Sequence, residues 1–148
     1  MKNYGKVLLY SYPKLNKLQD QLRALAFDKA MAGFYSECDC ERIANDIIRL
    51  NDAREIIGET KEKMDEALSG FTDEELEYFE YRYFKTSVVK RLRPKSGDRQ
   101  YFRIQRRLFL KFMGYLERAG LTEEWFDENC LKLRYFADMS ELYEESRL

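Results

Sequence analysis

The chain has 148 residues, of which 45% are hydrophobic, with only two prolines and seven glycines; this suits a helical fold and argues against wholesale disorder. It contains no histidine, which excludes a Ser-His-Asp or Cys-His centre, and it has no GxGxxG or GxxxxGK[ST] loop for a nucleotide. A net charge of −1 hides a segregation: residues 81–118 hold 12 Lys/Arg against 2 Asp/Glu, while 1–80 hold 11 against 17 and 119–148 hold 3 against 8.

No run of about 18 apolar residues is present, so no membrane span is expected. Near the start, Val7-Leu8-Leu9-Tyr10 is too brief for a secretory signal core, and the expected location is cytoplasmic. Cys38, Cys40 and Cys130 cannot all pair and fall short of a four-ligand zinc site. They read as reduced thiols, and no metal or cofactor is expected.

A first helix is expected to open at Pro13, with Leu15, Leu18, Leu22 and Leu25 recurring at spacings of three and four. The pattern fades near Gly33, and Ser36 to Cys40 reads as a connection. A second helix spans about 41–68. Its apolar residues Ile43, Leu50, Ile57 and Met64 are evenly spaced, beside a small-residue row Ala53, Thr60, Ala67 and with Ile47 alongside. The short connection predicts an antiparallel hairpin over residues 1–70. The seam on its second helix serves either packing inside the chain or a homodimer through the hairpin.

Gly70 ends that helix, and Thr72 with Glu75 forms a capping-box signature for a third helix carrying Leu76, Phe79, Tyr83 and Phe84. Ser87 to Leu92 allows one or two helical turns before Pro94, and Ser96-Gly97-Asp98 is a turn and cap. A long helix follows over about 99–119, broken at Gly120, and two shorter helices cover 122–130 and 131–145. Trp125 is expected to anchor a terminal helix on the core. The expected fold is therefore all-α, with about six helices. It divides into an N-terminal helical hairpin (1–70), a basic helix-turn-helix-like unit (71–120) and acidic C-terminal helices (121–148).

On a helical wheel the long helix separates into two faces. Tyr101, Ile104, Leu108, Phe109, Phe112, Tyr115 and Leu116 share one; Arg99, Arg103, Arg106, Arg107 and Lys111 share the other, and Leu110 and Met113 interrupt the division. The aromatic residues are expected to point into the core, away from any single-stranded base. Glu117 is the only acid between Arg99 and Arg118, so the cations have no i,i+4 partners and a polyanion is the expected ligand.

A helix, a short segment, a turn and a basic helix is the order of a helix-turn-helix. In that motif the second helix enters the major groove by its N-terminal residues. Arg99, Gln100 and Arg103 are then the base-contacting candidates. Lys90, Arg91, Arg93, Lys95, Arg106, Arg107 and Lys111 are the phosphate-contacting candidates.

Phe71 to Phe84, with Arg82-Tyr83-Phe84 at its end, followed by Ser96, Arg99, Arg103, Arg107, Leu108, Lys111 and Phe112, resembles the fourth region of sigma factors and related small regulators of Gram-positive bacteria and their phages. The resemblance covers residues 71–112. It implies a non-catalytic DNA-binding transcriptional regulator whose partners are double-stranded DNA and RNA polymerase. The family's first motif helix usually carries an alanine, followed by a glycine in the tight turn, where this chain has the compact Ser87–Leu92 and a turn containing Pro94 and Gly97. The alternative is an interaction protein that docks on RNA polymerase or another regulator through the basic helix.

Overall fold

Seven α-helices, joined by short 3-10 and π segments, make up the computed structural model, which describes residues 3–35, 40–85 and 97–145. They are α1 (Tyr4–Ser11), α2 (Leu15–Tyr35), α3 (Cys40–Leu68), α4 (Asp73–Phe79), α5 (Asp98–Arg118), α6 (Glu123–Asn129) and α7 (Arg134–Glu145). The fold is all-α, as expected, with no strand among the described residues. No helix among them is long and apolar enough to cross a membrane. Contacts divide the chain into two units, one formed by residues 1–13 and 62–148 and the other by residues 14–61.

The smaller unit is an antiparallel pair made by α2 and most of α3. Gly33 faces the Ile43 side chain, Lys29 Nζ lies 3.6 Å from the Asp46 carboxylate, and Gln19 Nε2 donates to the Arg54 carbonyl at 3.4 Å. The leucine row does not set this face to its end: Leu25 is 52% exposed, whereas Ala26 beside it is buried. Spacings of three, four and three average less than the helical repeat, so the row drifts sideways, and Ala26 takes the inward position. On α3, Ile57, Thr60, Met64 and Ala67 are buried in the single chain, so this part of the seam is already covered.

In the larger unit, α1 forms where the sequence shows only a short apolar run. Tyr4, Val7, Leu8 and Leu9 are all buried, and a helix buried on nearly every side has no polar face to reveal its period. Pro13 does not open a helix; it lies in a 3-10 turn, Tyr12–Lys14, that joins α1 to α2. There its missing N–H breaks no long ladder.

The turn after α3 is tight because Tyr115 stands against it. A Cβ on Gly70 would lie 2.7 Å from that ring, so close approach demands glycine here. The capping box is formed: Glu75 N–H donates to Thr72 Oγ1 at 3.2 Å, and Thr72 N–H donates to Glu75 Oε1 at 3.0 Å. Past α4 the backbone widens into a π turn, Glu80–Phe84, and closes on Lys85 in the left-handed region (φ 46°). This brings Tyr83 into the core, where burial pushes its phenol up to about 12. Phe79 sits at the centre of an aromatic cluster with ring centroids at 5.0 Å from Phe71, 5.9 Å from Phe112 and 6.3 Å from Phe84. Such pairs add about 0.5–1.5 kcal/mol each beyond the area they bury.

The C-terminal helices close the unit over α1. Tyr4 packs on Phe126 of α6 (5.6 Å), and Lys6 Nζ lies 5.6 Å from the rings of both Phe109 on α5 and Tyr143 on α7. The buried anchor of α6 is Phe126; Trp125 beside it is half-buried and lies under Lys63 Nζ at 5.3 Å, and the same ammonium lies 3.5 Å from the Ala119 carbonyl at the end of α5. A cation there complements the negative end of the helix dipole.

Candidate nucleic-acid interface

The basic helix α5 is held by α4 and its π turn, which run antiparallel alongside it. Rings meet from Phe71–Tyr115 (5.2 Å) at one end, through Phe79–Phe112, to Tyr81–Tyr101 (6.0 Å) at the other. Near the N-terminal end Gln105 is buried. Its Nε2 donates to the Tyr78 carbonyl (2.9 Å) and to the Tyr101 hydroxyl (3.1 Å), beside the point where the α4 ladder changes register. This tie fixes the rotation of α5 about its own axis, because a buried amide gives up its bonds only at the cost of desolvation. Composition gave no sign of this role; the Tyr78 partner lies 27 residues away.

Burial on α5 follows the predicted core face, with Tyr101, Leu108, Phe112 and Leu116 inside. One residue corrects the sequence reading: Phe102 is 59% exposed, so the aromatics of this helix do not all point inward. Leu110, which interrupts the outward face on the wheel, is 62% exposed there. Phe102 lies just beyond the wheel's apolar arc, which was the signal for its exposure.

Arg99, Gln100, Arg103, Arg106 and Arg107 are all exposed. Gly97, Asp98, Arg99, Gln100, Arg103, Ile104 and Arg107 line one open concavity along the first half of α5. Arg106 is not among them and stands on the other flank. Among the described residues, none of the four arginines forms an ion pair. Gly97, the N-cap residue, has no side chain to cap the first amides of α5.

Three lysines of the unit are engaged by other groups. Lys111 Nζ lies 3.4 Å from the Glu75 carboxylate and over the rings of Phe71 (5.3 Å) and Tyr115 (5.7 Å). The Thr72 amide, with Lys111 beyond it, holds the Glu75 carboxyl below the usual range. Lys6 and Lys63 are engaged on rings as described. Lys6, Lys63 and Lys111 thus have carboxylate or ring partners within the chain, whereas the four arginines have no ion-pair partner among the described residues.

Of the candidate phosphate contacts, Lys90, Arg91, Arg93 and Lys95 lie outside the described residues, as do the short segment 87–92 and the turn at Pro94. Cys38 lies outside them too; among the described residues Cys40 is exposed and Cys130 buried, and they form no disulfide. No family model, curated protein or solved structure matches the chain.

Proposed function

We propose that the chain is a non-catalytic, DNA-binding transcriptional regulator similar to the fourth region of sigma factors, with double-stranded DNA as its ligand. One observation carries the reading: Arg99, Gln100, Arg103 and Arg107 line a single open concavity at the uncapped start of α5, while neighbouring lysines are held by Glu75 and by aromatic rings. Cations left unpaired along a helix repel one another, and a row of phosphates relieves that repulsion. Arg99 and Arg103 would take guanine edges, Gln100 an adenine edge, and Arg107 a phosphate. RNA polymerase is the proposed protein partner of such a regulator.

The test is a fluorescence titration of the folded protein with duplex DNA at two salt concentrations. The expected result is binding whose logarithm falls steeply with the logarithm of salt, as counterions are released. No binding to duplex at low salt, with capture of RNA polymerase retained, would overturn the DNA reading in favour of a docking protein that uses the same helix.

A further inference from the structure

One flank of α5 holds an aromatic ring and a cation that lie outside both the core and the arginine concavity. Phe102 is 59% exposed. Arg106, one turn on, is exposed and has no ion-pair partner among the described residues. At about 100° per residue, Phe102 lies about 40° from Arg106 but about 200° round the helix from Gln100, so the pair faces away from the concavity. The next ring along this flank, Phe109, is half-buried and already has Lys6 Nζ 5.6 Å from its centre.

A single exposed ring is ordinary on a protein surface; its setting distinguishes this one. Phe102 stands among Arg99, Arg103 and Arg106, and the helix carries no acid between Asp98 and Glu117. The ring is also held in place. Tyr101 stands against it with centroids 5.3 Å apart and planes at 76°. Tyr101 is itself buried, its hydroxyl accepting from Gln105 Nε2 at 3.1 Å and its ring stacked on Tyr78 at 5.9 Å.

We infer that this flank binds an unpaired nucleotide of single-stranded DNA, with its base stacked on Phe102 and its phosphate on Arg106. The inference rests on the reading of α5 as a DNA-binding helix, but not on a preference for duplex. Chemistry selects the occupant. Duplex presents base edges and phosphates, while its base faces are closed by stacking and give the phenyl ring no partner. A carboxylate surface pairs with Arg106 and leaves the ring in water. An apolar surface covers the ring and buries an uncompensated guanidinium. A nucleotide carries a flat face and an anion on one unit, and Phe102 and Arg106 are only about 6 Å apart along the helix axis. Base–aromatic stacking is tolerant of sequence, so this flank adds affinity for an opened strand without reading it.

The experiment is a fluorescence-anisotropy titration of the full chain with a labelled single-stranded oligodeoxynucleotide and with the duplex of the same sequence. It is run at two salt concentrations, with circular dichroism as the check on folding. Wild type is expected to bind the single strand. Phe102→Leu keeps an apolar side chain but removes the aromatic face. It is expected to weaken single-strand binding at least about fivefold and to leave duplex binding within about twofold. Phe102→Trp is expected to retain single-strand binding. Arg106→Ala is expected to weaken it and to flatten its salt dependence by about one phosphate contact. Absence of single-strand binding, wild-type affinity in Phe102→Leu, equal losses on single strand and duplex, or a loss in Phe102→Trp as large as in Phe102→Leu overturns the stacking site. Single-strand binding without duplex binding removes the duplex reading and leaves this site standing; duplex binding without single-strand binding does the reverse.

Discussion

The Tyr12 hydroxyl donates to the Asp65 carboxylate, joining the turn after α1 to the last turns of α3. The ring of Tyr12 also packs on Phe84 at 5.1 Å, so one side chain connects three segments of the larger unit. Tyr12→Phe keeps the ring contact and removes the bond to a charged acceptor. The expected loss is about 1–2 kcal/mol for this half-buried pair, read as a lower urea midpoint with an unchanged slope.

Burial, with Asp65 alongside, raises the Tyr12 phenol, and burial likewise raises Tyr4 and Tyr83. A group whose folded pKa is raised stabilises the fold fully below its unfolded value, about 10 for tyrosine, and that stability is lost as pH rises through the folded value. The chain should therefore lose stability above about pH 10, with phenolate absorbance appearing together with loss of helix. Phenolate signal from these tyrosines in a fully helical protein at pH 10 would contradict this.

Gly70 and Gly5 distinguish rigid from adaptable contacts. A Cβ at Gly70 meets the Tyr115 ring at 2.7 Å; at Gly5 it meets the Met113 sulfur at 2.2 Å. The methionine end can swing away, whereas the ring is held between Phe71 and Lys111. Gly70→Ala is expected to cost about 1–3 kcal/mol and Gly5→Ala less, despite its shorter distance; thermal melts of the two variants give the order.

Lys111 and Arg107 should part company in DNA binding. Lys111 is already paired with Glu75, so Lys111→Ala should leave duplex affinity near wild type. Arg107→Ala should weaken all sequences alike and flatten the salt dependence. Arg99→Ala and Arg103→Ala should relax sequence preference, each costing about 1–3 kcal/mol on the preferred site. Equal losses from Lys111→Ala and Arg107→Ala would remove the distinction drawn here.

Local signals in the sequence were read well. The capping box at Thr72, the amphipathic α5, the hairpin and the two terminal helices all come from patterns within a few residues of one another. What was missed depends on distant partners. Helix α1 was hidden because burial on nearly every side erased its period. Nothing near Gln105 in sequence signals its tie to Tyr78, and Lys111, a phosphate-contacting candidate from its place on the wheel, stays exposed but lies beside Glu75. Pro13 carried a true helix-start signal, but α1 already preceded it, and a 3-10 turn absorbed the proline instead.

The larger unit is discontinuous along the chain, with α1 against α6 and α7 and the hairpin of residues 14–61 lying between them in sequence. During synthesis, then, the hairpin can pair as soon as α3 is made, from contacts between near neighbours. Helix α1 must wait, its apolar surface uncovered, until the chain has been extended through α7. Contacts of such long sequence separation form late and slow folding. Until then Val7, Leu8 and Leu9 stay uncovered, the kind of transiently exposed apolar surface on which chaperones act.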